Sequence, residues 1–233
     1  MKSQMLIVAM TCSSLAFIHR AAAQTEVNPP PVMSIPAITQ QEKDAMYDAV
    51  LEDRVLKIVQ SLALTDSAVS NKVHGILVDH YHALRARDEA IDAELSDLPK
   101  GSDEWLAQRD VMFPKMSQPL HDAFVARLGK VVTPQQIETI KDKMTYGKVE
   151  FTYNAYCSIV PHLTDADKAR ILELLQQARE VAIDGGSSGE KTAIFQRYKN
   201  RINAYLSAQG IDVEKALKEW AEKHPGTNTF AGK

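Results

Sequence analysis

Residues 144–206 read MTYGKVEFTYNAYCSIVPHLTDADKARILELLQQAREVAIDGGSSGEKTAIFQRYKNRINAYL, and this stretch decides the fold. Thr164-Asp165-Ala166-Asp167 is a helix start, and Ile171, Leu174, Leu175, Ala178 and Ala182 then recur on one helical face until Gly185-Gly186 stops it. Ser187 or Ser188 caps a second helix with the stripe Ile194, Tyr198, Ile202 and Tyr205, which Gly210 ends. Upstream, Phe151 to Val160 reads as a short helix closed by Pro161, although its aromatic and β-branched content would also suit a strand.

The same logic extends outward in both directions. Thr133-Pro134-Gln135-Gln136 unites a capping Thr, a Pro at the first helical position and a Gln that completes a capping box, and Gly147 is the expected stop. Thr39-Gln40-Gln41-Glu42 is another box, opening a helix with Met46, Ala49, Val50, Val55, Ile58, Val59 and Leu62 at helical spacing. After a break at Leu64-Thr65-Asp66, the longest stripe runs through Val69, Val73, Ile76, Leu77, Tyr81, Leu84, Ile91 and Leu95. Asp103 to Met112 is expected as a helix cut by Pro114 and Pro119, with a separate one from Leu120 to Leu128. Asp212 to Lys223 is the last. Leu64-Thr65, Val132-Thr133 and Leu163-Thr164 each set an apolar residue before a Thr expected to cap, which is how helices ordinarily begin. With no period-two alternation bounded by turns, the reading is all-α: a single bundle of about seven to nine helices over 39–223, without a sheet.

The ends bound the compartment. Met1-Lys2, the apolar run Met5 to Ile18 and Ala21-Ala22-Ala23 have the order of a secretory signal peptide, so 1–23 is expected to be removed and the product to be periplasmic or secreted. The run is too short and too interrupted to span a bilayer. Residues 24–38, with Pro29, Pro30, Pro31 and Pro36, read as an extended leader, and 224–233 as a flexible tail. Removing Lys2 and Arg20 takes the net formal charge from −3 to −5, and that mild acidity argues against a nucleic-acid partner. Cys12 leaves with the signal, so Cys157 has no internal disulfide partner and packing must hold the fold.

Several stretches invite a chemical reading. Gly185 to Thr192 comes close to a phosphate loop but fails, because Glu190 separates Gly189 from Lys191-Thr192 and the segment follows a helix where that motif follows a strand. A Gly-Ser loop feeding a helix start is nonetheless a place where backbone amides can meet an anion. Lys191 sharpens this: at about 100° per residue it lies within about 20° of Tyr198, amid an apolar stripe, in a first turn whose dipole opposes a cation. Such a placement needs a partner, either a ligand or an acid such as Asp184 or Glu190. Tyr146, Tyr153, Asn154 and Tyr156 offer phenol faces and amides of the kind sugar rings stack on and bond to, or else a tyrosine-rich core seam. His80-x-His82 puts two rings on different sides of a helix, so no metal is expected, and no sequence motif calls for a cofactor or a catalytic elbow.

These residues carry a resemblance. Met144-Thr145-Tyr146-Gly147, Thr152 to Tyr156, Pro161 to Thr164, Ala178-Arg179-Glu180, Asp184 to Lys191 and Tyr198 to Leu206 resemble an exported bacterial all-helical family catalogued as domain of unknown function 3826. The resemblance covers most of Asp53 to Val213. It implies an all-helical protein with a signal peptide, encoded near carbohydrate-degrading enzymes, without an established reaction. Gly185, Gly186 and Gly189 stand where relatives use less glycine, which would loosen the loop. The functional expectation is a protein that handles, by binding or cleaving, an acidic oligosaccharide. Lys191, Ser187, Ser188 and Arg201 would hold the carboxylate, and Tyr146, Tyr153 and Asn154 would meet the sugar. The alternative is a periplasmic chaperone-like or structural helical protein, which would show a broad exposed apolar concavity.

Overall fold

The computed structural model describes residues 38–226, so the signal-peptide reading, the leader up to 37 and the tail beyond 226 lie outside the described residues. Among them are eight helices and no strand: α1 Gln40–Ser61, α2 Ser67–Glu94, α3 Asp103–Gly129, α4 Pro134–Met144, α5 Lys148–Ile159, α6 Asp165–Ala182, α7 Ser188–Ala208 and α8 Val213–Lys223. The all-α expectation holds.

Local chemistry starts these helices where the sequence says. Thr39 with Glu42, Thr133 with Gln136 and Thr164 with Asp167 each close a reciprocal capping box. Two ends differ from expectation. The cap of α2 is Asp66, whose carboxylate accepts from Ala68 and Val69, so Thr65 does not cap as Thr133 and Thr164 do. Gly147 does not itself end α4: Tyr146 takes the left-handed turn at φ 59°, its amide bonds to Lys143 O and that of Gly147 to Asp142 O, the two bonds of a Schellman stop. Gly147, also left-handed, then opens α5 as its N-cap.

The largest correction is α3. Asp103–Gly129 is one helix with both prolines inside it, not two helices. Pro114 and Pro119 sit on its exposed side, as do Asp110 and Lys115, the residues four before, so the carbonyls freed by the missing amides face water. The opposite side is anchored by Trp105, Phe113, Ser117, Phe124 and Leu128, all buried.

Burial divides into two main cores. The first joins α1, α2, the end of α3 and α4 through residues such as Val55, Leu77, Leu128 and Ile140. The second joins α5 to α8 through Tyr156, Ile171, Leu175, Ile202 and Leu206. A smaller cluster of Ile91, Leu95, Trp105 and Phe113 ties the end of α2 to the start of α3. In α1 the expected stripe is shifted: Leu51, Val55 and Ile58 are buried, whereas Met46 and Val50 are 61% and 60% exposed. Ile183, the cap residue of α6, packs into the first core although α6 belongs to the second, so the loop after α6 links the two. Among the described residues no helix is long and apolar enough to cross a membrane.

Candidate functional site

Charged and polar groups concentrate around that loop. Arg87, 4% exposed on the buried stripe of α2, donates to Ser117 Oγ at 2.8 Å, to Asp184 O at 2.8 Å and to Asp88 Oδ1 at 2.8 and 3.1 Å. One guanidinium thereby ties α2, α3 and the loop, and its face stacks over Phe113. Asp184 is also buried: His121 Nδ1 is 3.0 Å from its Oδ2, and His80 Nε2 is 3.7 Å from its Oδ1, beyond hydrogen-bond reach, leaving His80 Nε2 and Asp184 Oδ1 unpartnered among the described residues. Burial, then the charges of Lys191 and His121, push His80 down to about 3, so the ring stacked on Phe124 is neutral. His121 is pushed the other way, chiefly by its bond to Asp184.

Lys191 is turned inward, 1% exposed, as its place in the stripe requires. Its partner is neither the expected acid nor the cleft described below. The ammonium donates to Ala182 O at 3.0 Å and Ile183 O at 3.2 Å, the last carbonyls of α6. A cation ill-placed at the start of α7 is well placed at the end of α6. Burial, and after it the charge of Arg54, lowers its pKa to about 7.

Both glycines before it are explained by close approach. A Cβ at Gly185 would meet Lys191 Cγ at 3.0 Å, and one at Gly186 would meet Asp88 Oδ2 at 2.0 Å. Neither takes a positive φ. The glycines do not loosen the loop as expected; they let a lysine stem and a carboxylate pack onto it. Glu190 fastens it further, accepting from Gly186 N at 2.7 Å and pairing with Arg109, while Ser187 Oγ accepts from Glu190 N.

Beside the loop, α2, α3 and the start of α7 enclose an open cleft of about 990 Å³. Its floor is apolar, from Trp105, Phe113, Val181 and Ile194, and its walls carry Asp88, Asp92, Lys100, Arg109, Asp110, Glu190 and Arg197. The cations are matched across it: Lys100 with Asp92, Arg109 with Glu190, and Arg197 with Asp110 at 3.7 Å. Asp88 differs. Arg87 holds its Oδ1, its Oδ2 faces Gly186, and burial raises its pKa by more than Arg87 lowers it.

The sequence-predicted site residues are scattered over the molecule. Ser187 lines this cleft and Ser188 is exposed next to it. Tyr146, 49% exposed, lines a different depression with Arg54, Lys57 and Lys143. Tyr153 packs on the second core and Asn154 is exposed on α5. Arg201 is exposed and lies over the Tyr198 ring. Tyr156 fits the core-seam alternative, 1% exposed with its hydroxyl on Asn203 Oδ1 at 2.6 Å. Arg87, Asp88, Trp105 and Arg109 were not singled out, yet Arg87 interrupts the α2 stripe between Leu84 and Ile91, the same signal that marked Lys191. Among the described residues, no group of three or more His, Cys, Asp or Glu could hold a metal ion.

Comparison with known families gives one match: the family model described as protein of unknown function (DUF3826) covers residues 35–225, and the chain belongs to that family. No curated protein matches the sequence.

Proposed function

We propose, for this member of the DUF3826 family, an exported protein that handles an oligosaccharide, bound in the cleft between α2, α3 and the start of α7. The observation that carries the reading is the charge pairing across the cleft. Three cations each meet an acid there, and Asp88 adds an oxygen that no donor takes among the described residues. Alternating carboxylates and cations over an apolar floor supply acceptors and donors in equal measure with little net field, which suits a hydroxyl-rich ligand better than a strongly charged one. Lys191 does not line the cleft, and its protons are directed to α6 carbonyls. Export rests on the order of residues 1–23 and accords with an oligosaccharide ligand met outside the cytoplasm. The chaperone-like alternative calls for one broad apolar concavity; Met46, Val50 and Leu56 on α1, Leu106 and Val111 on α3 and Phe151 on α5 divide the exposed apolar side chains over three helices.

The test is calorimetric titration with a panel of neutral and acidic oligosaccharides against wild type, Asp88→Asn and Arg197→Ala. Arg197 is the conservative probe, since its ion pair is 58% and 63% exposed and contributes little to folding. Binding by wild type with at least about tenfold weakening in both variants supports the cleft, a tenfold loss being about 1.4 kcal/mol. Unchanged affinity in the variants, or no binding by any glycan at millimolar concentration, overturns it. The same mixtures assayed for new reducing ends decide between binding and cleavage.

A further inference from the structure

The depression that holds Tyr146 carries a charge arrangement unlike the cleft. Val50, Asp53, Arg54, Lys57 and Ile58 of α1 and Lys143 and Tyr146 at the end of α4 enclose about 310 Å³, near the lower end for small-ligand sites. Lys57 is matched by Asp53 at 2.6 Å. Arg54 and Lys143 have no carboxylate within ion-pairing distance among the described residues, so the site has a local surplus of two positive charges in a protein that is acidic overall.

Arg54 is the informative group. It is half-buried, with its guanidinium 5.5 Å from the centre of the Tyr81 ring, and Lys191 Nζ lies 6.0 Å from the same centre. Of the two cations around this ring, Lys191 is answered by the Ala182 and Ile183 carbonyls, which leaves Arg54 as the one without an acidic or carbonyl partner among the described residues. Tyr81, 3% exposed, is not part of the depression's lining; it lies beside Arg54, whose side chain and charge act on its hydroxyl. A half-buried guanidinium with no carboxylate beside it, next to an ammonium that also has none, is a charge that an anion would answer. The C-terminal end of α4 opposes an anion by about half a charge. Its Asp142 and Lys143 carbonyls are already bonded within the Schellman stop, and two full positive charges outweigh the remainder.

We infer that this depression is a carboxylate-binding site: Arg54 takes the acid group through its planar fork, Lys143 supplies field, Tyr146 donates its hydroxyl, and the ligand is the uronic-acid residue of an acidic saccharide. The two parallel N–H donors of the fork match the two oxygens of a carboxylate. Tyr146, in the left-handed region at φ 59°, lines the depression just past the end of α4. This inference stands independently of the cleft. The cleft takes hydroxyls at α2, α3 and α7, whereas this site takes charge at α1 and α4.

Titration with glucuronate and a galacturonate trimer, beside glucose, a neutral galactose trimer and sulfate, tests it on wild type, Arg54→Gln, Lys143→Gln and Lys218→Gln, an exposed cation of α8 outside both cavities, with circular dichroism confirming each fold. Lys143→Gln guards against misfolding of Arg54→Gln, because Lys143 is exposed. The expected result is uronate binding that weakens at least tenfold in Arg54→Gln, severalfold in Lys143→Gln and not at all in Lys218→Gln, and that falls as salt rises. Equal affinity for sulfate, survival of uronate binding in both α1 and α4 variants, or its loss in Lys218→Gln overturns the assignment. Failure of the cleft would instead show as neutral glycans that do not bind while uronates do.

Discussion

Replacing Lys191 by methionine isolates the most unusual interaction in the molecule. The ammonium is 1% exposed and its pKa is about 7, against 10.5 when unperturbed. At about 1.4 kcal/mol per pH unit, carrying the proton in the native state costs on the order of 5 kcal/mol below neutrality. The sign follows from proton counting. A lysine depressed in the folded state is equally protonated in both states below pH 7. Between about 7 and 10.5 the unfolded chain holds a proton that the native one has shed, so stability rises with pH. From pH 7 to 9 the gain attributable to Lys191 is about 2 kcal/mol. Lys191→Met removes that titration and leaves Ile183 O without a donor, a loss of about 1–3 kcal/mol, while Ala182 O keeps its bond from Gly185 N at 3.0 Å. Relief of the buried charge outweighs loss of the carbonyl bond, so the variant should be about 2–4 kcal/mol more stable than wild type at pH 7. The assay is urea unfolding followed by circular dichroism at pH 6, 7, 8 and 9, with the denaturant slope held common. Wild type should gain about 2 kcal/mol on the variant between pH 7 and 9 and nothing between 6 and 7. Parallel curves across the whole range would refute the reasoning, since they would mean that Lys191 does not titrate differently on folding.

At the acid end, His80, held near 3 when folded, lets the unfolded chain bind a proton first below 6.5, so stability should drop by about 1.4 kcal/mol per unit, or close to 3 kcal/mol by pH 4.5. His80→Phe, stacked on Phe124, should flatten that limb in acid unfolding curves; an unchanged limb counts against a neutral His80. His121 works oppositely: its pKa is raised by Asp184, so its stabilisation is present below its unfolded value and fades as pH rises through the folded one, and His121→Asn should remove this decline. Gly186→Ala must displace the Asp88 carboxylate, which lies 2.0 Å from the new methyl position, and should cost about 1–3 kcal/mol. Gly189→Ala, with its nearest neighbour at 3.8 Å and a helical place, should stabilise by about 0.5 kcal/mol; equal melting shifts for the two would contradict the packing described for the loop.

Helix starts were legible because they are settled within four residues. Thr39, Thr133 and Thr164 each carry both halves of their capping box in the local sequence. Where a choice depended on tertiary neighbours, the sequence misled. Pro114 and Pro119 carry a strong local signal for a break, but whether a proline breaks a helix depends on where its freed carbonyl points, and that is set by which side of α3 is pressed into the cores by Trp105, Phe113 and Phe124. Met46 and Val50 have the spacing of a core stripe, yet the face that α2 covers early in α1 is the one carrying Asp44 and Tyr47, so both stay exposed and full burial begins only at Leu51.

The site shows the same division between local and distant control. That Lys191 turns inward followed from its angle to Tyr198, a property of one helix; what it meets there did not, because the C-terminus of α6 reaches it only through the Gly185 turn. A Gly-Ser loop ahead of a helix carries two readings that sequence cannot separate: amides bared for a ligand, or backbone thinned so that side chains from elsewhere can lie against it. Gly186 decides for the second, since the carboxylate filling its missing Cβ comes from Asp88, ninety-eight residues earlier in the chain. The cue that did reach beyond one helix was a charge inside an apolar stripe. Applied to Lys191 alone it marked one end of the polar seam; applied evenly along α2 it would also have marked His80 and Arg87, and the latter holds the loop to α3 and orients the Asp88 carboxylate beside the cleft. A buried charge must be answered by something, and here two of the answers, the α6 carbonyls and the loop backbone, come from the main chain, which is why no pairing of side-chain letters could have found them.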